Sequence, residues 1–584
     1  MRVALVTTPP SVRSGIGDYT RHLLPYLREH CQVDIYVRPE AAEALAAGDD
    51  EWPGEEPKSI LDLDPNAYDQ VMFQLGNELS HDFMVRMIRH VGGTVMQHDW
   101  VLFDLALATY PGLVRGGLKG HMLALREGGL AQTRQYLKVW LDRRRERSNP
   151  AELPDCQGEL GQLLAGWHAK EPAGRWIADR ALFRIPAAGV TRIEVGISGE
   201  PGRDLRLAVE NGPHEDFRCT KEAAGTLLAV DLPPGDGPRD EPSCSLDVSG
   251  IVVTPEQRSH GDTRRLGAFV ETVAWHDQGG RHELDLSLPP KFPIRPVDLS
   301  RDRFLLPLNR SIVDHADAFI VHSDYVGGLI KERRGQDIPM GKLPHGSEKR
   351  WAPHEDRGDR RELRTRLGLP EAWKDGFLVV SFGGVQTHKR IDRLLAGLVE
   401  ARKTRDDIHL VLAGGWHPDN IDPVGIARML GVEDAVHFTG YVPEEEAWDW
   451  IHAGDVSVNL RGPTSGGTSG GIYQSLSLGR AVIATGEAEQ AELPADCIPK
   501  VPLGVGEVEA IGELLVELAG DPERCRALEA AARRYVEEDC FWGIVGKGYH
   551  DHLASFPRPQ VPASKLEAMR TELRDYCTDS IDES

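Results

Sequence analysis

The chain has 584 residues, 40% apolar and 27% charged, which is too long for one hydrophobic core and ordinary for a globular protein of two to four domains. Its 91 acidic against 67 basic residues leave a formal charge of −24, so a diffuse basic field for nucleic acid is excluded and any phosphate must be held by a local site. The eight cysteines are scattered without a CxxC pair, which suits a reducing compartment and points to neither a zinc knuckle nor a dithiol motif.

Residues 1–11 lack the basic and long apolar regions of a signal peptide, and no apolar run approaches the roughly 20 residues of a membrane span. The expected location is cytoplasmic, at most peripheral to the inner face of the plasma membrane. Val3–Thr7 reads as a buried strand, followed by Ser14-Gly15-Ile16-Gly17 and an amphipathic helix. Strands at Val33–Val37, Val71–Gln74 and Thr94–Gln97 alternate with helical patterns such as Asp82–His90, as in a doubly wound parallel sheet. Residues 106–172 read as a helical insert; Leu137–Leu141 and Arg143–Arg145 form an internal helix with a solvated basic end, with membrane contact as the alternative.

From 173 to 290 the texture changes to short β-like runs between Gly, Pro and Asp loops, including Leu246–Val253 and His282–Leu288, the pattern of an inserted antiparallel sandwich. Its Trp176 and Trp275 are expected as core residues rather than sugar-stacking platforms. The first α/β unit resumes at 302–342, so it comprises 1–105 and 302–342. Pro344-His345-Gly346 marks a hinge. A second α/β unit spans 343–555, and 556–584 reads as a tail. The fold class is therefore α/β, two Rossmann-like domains around a cleft, with a β-rich insertion.

Three segments face that cleft, where ligands of such folds bind. Gly15-Ile16-Gly17 follows the first strand, where glycines allow close approach of backbone to phosphate or simply a tight turn. Phe382-Gly383-Gly384-Val385-Gln386-Thr387-His388-Lys389-Arg390 follows another strand. Two cations at a helix start oppose its dipole unless an anion is bound, the alternative being solvated side chains. Pro463–Gly471, with Thr468, Ser469, Gly470 and Gly471, offers free N–H groups at a helix start, an anion cradle or a flexible loop. Asp62-x-Asp64 resembles a metal-binding pair but lies in a polar run and is expected as a loop; no metal or cofactor is required.

Together, SGIGDYTRHLLPYL, GNELSH, MQHDW, ADAFIVHSDYV, GGVQTHKRIDRLL, HLVLAGG, VHFTGYVPEEE, the Gly/Thr/Ser loop and GRAVIAT resemble the large family of retaining glycosyltransferases with two Rossmann-like domains (glycosyltransferase family four, the GT-B type), over about 1–105 and 302–555. The resemblance implies Lys389 and His98 as catalytic residues, the first on the donor diphosphate and the second beside the donor sugar. The alternative for His98 is a structural histidine after a strand, which its neighbour Asp99 simply orients. The resemblance also implies donor contacts from Gly15 to Gly17, Gly383, Gly384, Thr468–Gly471 and Gln474, with Tyr441-Val442 at the base.

The chain departs from the family pattern at four positions. Gly466 and Gln474 stand where two glutamates are usual, Gly467 where a neighbouring subgroup has glutamate, and Gly384 where a phosphate-binding arginine is usual. The implied activity is transfer of a hexose from a UDP- or GDP-sugar to a glycan or lipid-linked acceptor in cell-surface polysaccharide biosynthesis. The alternative is a catalytically silent glycan- or partner-binding scaffold, and a weaker third reading is a phosphorylase or epimerase. No motif sets an oligomeric state.

Overall fold

The computed structural model describes residues 1–12, 15–46, 52, 56–148, 163–198, 203–209, 212–218, 224–232, 242–249, 267–287, 303–351, 359–416, 421–504, 506–558 and 560–582. Ser14, Leu288 and the 250–253 end of an expected strand lie outside them.

The front lobe begins with β1 (Arg2–Val6), β2 (Gln32–Val37), β3 (Lys58–Ser59), β4 (Gln70–Leu75) and β5 (Thr94–Gln97). An insertion then carries β6 (Leu163–Glu171), β7 (Gly174–Arg184), β8 (Arg192–Ser198), β9 (Asp204–Val209) and β10 (His214–Arg218), followed by β11 (Ala224–Asp231), β12 (Ser243–Ser249), β13 (Phe269–Asp277) and β14 (Gly280–Glu283). The lobe resumes with β15 (Ala318–Val321) and β16 (Met340–Lys342). Its seven strands run β16-β15-β5-β4-β1-β2-β3, all parallel. β4 is buried at every residue, the mark of a parallel strand covered by helices on both faces.

The rear lobe holds β17 (Phe377–Phe382), β18 (Ile408–Ala413), β19 (Val436–Gly440), β20 (Val456–Asn459), β21 (Val482–Thr485) and β22 (Lys500–Val501) in the parallel order β19-β18-β17-β20-β21-β22. The chain crosses between lobes at 343–350 and again near 536–542. There the Ser347 N–H donates to the Cys540 carbonyl and the Trp542 N–H to the Ser347 carbonyl. Gly346 is a glycine because a Cβ there would lie 2.1 Å from the Trp542 ring.

Two expected boundaries move. The helix Trp542–Ser555, placed above with the rear unit, packs in the front lobe. Trp542, Val545, Tyr549 and Leu553 share a core with Val3, Leu5, Leu23 and Ile320, and the Tyr19 and Tyr549 hydroxyls meet at 3.0 Å. The supposed tail carries the helix Ala563–Asp582, whose Leu566, Met569 and Leu573 fall at helical spacing and bury against Phe83, Met84 and Ile88. The apolar stripe was visible in the sequence, but the lobe it covers was not.

The insertion begins as helices Phe103–Thr109, Pro111–Arg115 and Gly117–Ser148, the last broken at Gly129, whose φ is 72°. Residues 163–171, expected as the end of this helical part, are instead β6. The expected sandwich is one nine-stranded antiparallel sheet, ordered β10-β9-β12-β7-β13-β8-β11, with β14 on β13 and β6 on β7. The 11-residue β7 sits near the middle of that order. It pairs with β12 over Arg180–Arg184 and with β13 at Arg175 and Trp176. One core, including Ile177, Phe183, Val195, Leu207, Leu246 and Val273, fills the fold. Trp275 is buried against the His282 ring, and Trp176 meets Phe269 edge-on at 5.3 Å.

Candidate functional site

The carboxyl ends of the two parallel sheets meet where the segment after β5 touches the turn after β20. After β17 the chain turns at Gly383, whose φ of 101° and proximity to the Lys389 amine (2.8 Å from an added Cβ) require glycine. Gly384 is exposed and open, with nothing within 3.9 Å of an added Cβ. A turn at Thr387–Lys389 then feeds the helix Ile391–Arg402.

Lys389 and Arg390 part company here. Arg390, left-handed at φ 56°, turns inward, where its Nε donates to Glu507 Oε1 at 2.9 Å and its Nη2 to Oε2 in a buried ion pair. It is neither solvated nor available to a ligand. Among the described residues the Lys389 amine has no hydrogen-bond or ion-pair partner. Burial, then the neighbouring Arg461, pulls its pKa from the ordinary value near 10.5 down to about 7. Leaving a half-buried, partly desolvated amine uncompensated is costly, and a bound anion would relieve it.

The turn after β20 lies beside this amine. Ser469 precedes the helix Gly470–Ser477 but does not cap it, because its hydroxyl accepts from Arg461 Nη2 at 3.0 Å. The first N–H groups, at Gly470 and Gly471, are therefore uncapped at the positive end of the helix dipole. Gly470 is exposed, with nothing within 4 Å of an added Cβ, and Gly471 lies against Asn459. One turn on, Gln474 Oε1 is buried and unpartnered, as is Asn459 Oδ1. Thr468 is half-buried beside them. At the edge of the lobe Tyr441 is 84% exposed next to Gly415, while the Val442 side chain is spent in the core with Leu378, Val411 and Trp450.

The front lobe contributes differently. Gly15 opens the helix Gly15–Arg28 and is exposed, with nothing within 4 Å of an added Cβ. Gly17 is buried one turn in, where a Cβ would strike the Pro9 backbone at 2.9 Å, so close packing alone requires this glycine. Asp64 serves as the cap of the turn Pro65–Ala67, accepting from the Asn66 N–H at 3.1 Å.

His98 is not free to address a sugar. His322 Nδ1 lies 2.9 Å from the Leu343 carbonyl and must donate there, so its Nε2 accepts from His98 Nδ1 at 3.2 Å. His98 Nε2, 2.7 Å from the Gln74 amide, must then accept. Turning that amide supplies the donor and gives the otherwise orphaned Gln74 Nε2 a partner. The ring also packs edge-on against Tyr19, and burial holds His98 well below the usual histidine range. The expected sugar contact is thus a neutral link in a structural relay.

Asp99 does not orient His98. Its Oδ2 accepts from the Asn77 N–H at 3.0 Å and its Oδ1 from the Ser465 hydroxyl of the rear lobe at 2.9 Å. The Trp100 and Val101 N–H groups both donate to the Ser465 carbonyl, at 2.9 and 2.8 Å. This clasp explains two of the sequence departures. A Cβ at Gly467 would fall 1.9 Å from Asp99 Oδ1, and one at Gly466 would fall 2.7 Å from the Trp100 Cβ. The carboxylate absent from the turn is replaced in space by one from the other lobe. Next to it Glu489, taking the Thr464 hydroxyl at 2.6 Å, is pushed up to about 6 by burial.

Sequence reasoning missed Arg461 and Glu489, and read Asp99 only as a neighbour that orients His98. Only Arg461 carried a local signal, since it follows β20 at the carboxyl end of a parallel strand.

Residues 376–521 match the family described as Glycosyl transferases group 1. The chain is 26% identical over 258 residues to the GDP-mannose-dependent monoacylated alpha-(1-6)-phosphatidylinositol monomannoside mannosyltransferase of Corynebacterium glutamicum, covering 43% of this chain and 65% of the relative. It is 27% identical over 243 residues to the GDP-mannose-dependent alpha-(1-6)-phosphatidylinositol monomannoside mannosyltransferase of Mycolicibacterium smegmatis, covering 41% and 62%. It thus spans less than two thirds of the length of these curated relatives. Among solved structures, Anabaena Alr3699/HepE with UDP and glucose aligns at a TM-score of 0.36 and 16% identity, over 42% of this chain and 65% of that one.

Proposed function

With residues 376–521 a glycosyl transferases group 1 domain, we propose that the chain transfers a hexosyl unit from a nucleotide-sugar to a glycan or lipid-linked acceptor. The observation that carries this reading is the unpartnered Lys389 amine beside the uncapped N–H groups of Gly470 and Gly471, at the carboxyl ends of a parallel sheet. That field suits a diphosphate leaving group, and Gln474 Oε1 can accept from a ribose hydroxyl. The printed activities of the relatives favour GDP-mannose among donors.

The proposed chemistry is retaining and needs no enzymic nucleophile. The bond from sugar C1 to the phosphate oxygen breaks, the acceptor oxygen bonds C1 on the same face, and the acceptor proton passes to the departing phosphate oxygen. Lys389 stabilises the developing negative charge, and the remaining catalysis is positioning. No step requires a metal. We place the protein in the cytoplasm, at most peripheral to the membrane; no described helix is long and apolar enough to cross one.

A second reading, a nucleotide-binding scaffold without turnover, is favoured by the Ser465–Asp99–Trp100 clasp, which ties the lobes together beside the turn that lacks its glutamate. Purified protein incubated with a panel of UDP- and GDP-sugars separates the two. Donor-dependent release of nucleoside diphosphate supports transfer, and saturable binding without release supports the scaffold. Absence of both binding and release sinks the nucleotide-sugar assignment.

A further inference from the structure

The buried arginines of the rear lobe provide an internal control. Arg364 binds Asp455, Arg390 binds Glu507 and Arg480 binds Glu529, each as a carboxylate pair. Arg461 has none. Its Nη1 meets His388 Nε2 at 3.1 Å, its Nη2 donates to the Ser469 hydroxyl at 3.0 Å, and its Nε is buried without a partner among the described residues. Asp99 and Glu489 lie near enough to favour its charge, but Asp99 takes the Asn77 N–H and Ser465 hydroxyl, Glu489 takes the Thr464 hydroxyl, and neither pairs with it.

We propose that Arg461 is a ligand-binding residue that grips the diphosphate of the nucleotide-sugar together with Lys389. The inference rests on the nucleotide-sugar reading above. Two cations sit side by side in a desolvated crevice, and the lysine amine is depressed partly by the arginine. Proteins tolerate such a pair where an anion joins it. The surrounding donors converge on the same place, because Arg461 draws the Ser469 hydroxyl off the helix end and so leaves the Gly470 and Gly471 N–H groups uncapped. A guanidinium presents a planar fork suited to phosphate oxygens. The loop after β17 offers no such group. Gly384 could hold one, since its backbone is not left-handed and an added Cβ meets nothing within 3.9 Å.

The test compares the wild type, Arg461→Gln, Arg461→Lys, Lys389→Met and the double variant Arg461→Gln/Gly384→Arg. UDP and GDP are titrated by calorimetry, and uridine and guanosine by ligand-observed NMR. Arg461→Gln is expected to weaken the diphosphates about 10- to 100-fold, the range of a lost charge-assisted contact, and the nucleosides by no more than about twofold. Gly384→Arg in that background is expected to recover at least part of the loss.

Diphosphate binding within about twofold of the wild type, or equal loss for diphosphates and nucleosides, overturns the proposal and leaves Arg461 a structural residue. Should Arg461→Gln fail to fold, Arg461→Lys decides, because a selective diphosphate loss is expected there too and its absence is equally fatal. If the wild type binds neither UDP nor GDP, the nucleotide-sugar reading itself fails. Loss in Lys389→Met without loss at Arg461 defeats this inference alone.

Discussion

The two sides of the crevice are chemically opposite. On the front lobe, His98, His322 and Asp99 satisfy one another, the backbone or a neighbouring hydroxyl. On the rear lobe, Lys389 Nζ, Arg461 Nε, Asn459 Oδ1 and Gln474 Oε1 are left without partners. Buried polar groups in folded proteins are nearly always paired, so a cluster of exceptions marks where a ligand belongs. The contrast supports the proposed reading, in which the rear lobe takes the donor and the His98–His322 relay of the front lobe is structural. It also shows why residue identity alone misleads: a histidine and an aspartate in the expected positions are consumed by structure.

The largest effect that sharpens this contrast lies away from the crevice. Breaking the buried Arg390–Glu507 pair with Glu507→Gln should cost about 3–5 kcal/mol in urea unfolding, because it strands a buried guanidinium. A loss below about 1 kcal/mol would return Arg390 to the list of ligand contacts.

Lys389→Met removes an unpaired charge, so the protein should be no less stable. Its turnover should nevertheless fall about 10²- to 10³-fold, as when one transition-state donor is deleted. Activity equal to the parent's would end its assignment as the residue on the leaving group.

The pH dependence follows from the same amine. In the free protein it is half-neutral near pH 7, whereas a bound diphosphate favours the ammonium and returns its pKa toward the ordinary range. The complex then holds more protons than the free protein, so affinity should fall as pH rises above about 7, by up to about tenfold per unit. Calorimetry at pH 8 in buffers of different ionisation enthalpy should register proton uptake, and proton release would contradict the sign.

The smallest effect tests the front wall. His98→Asn should cost about 1–2 kcal/mol of stability by stranding His322 and Gln74, while kcat changes by less than about tenfold. A loss in kcat of more than about a hundredfold, with stability unchanged, would restore His98 as a catalytic group.

Much of the architecture was legible because its causes are local. Strands buried on both faces read as apolar runs, glycine turns follow them, and Gly383-to-Lys389 and Thr468-to-Gly471 lie within about a dozen residues of the strand before them. The insertion announced itself by a change of texture, though not by its pairing, because β7 pairs with strands about 60 to 100 residues away.

What the sequence alone determined was the two α/β lobes, the hinge and the cationic, glycine-rich turns, since each depends on short-range periodicity and turn chemistry. Only the tertiary structure decided that the last two helices dock on the front lobe, that Arg390 faces inward while Arg461 faces the crevice, and that Asp99 occupies the space a side chain at Gly467 would need. Those outcomes depend on contacts between residues tens to hundreds of positions apart, and no local pattern encodes which of two distant partners a side chain will meet.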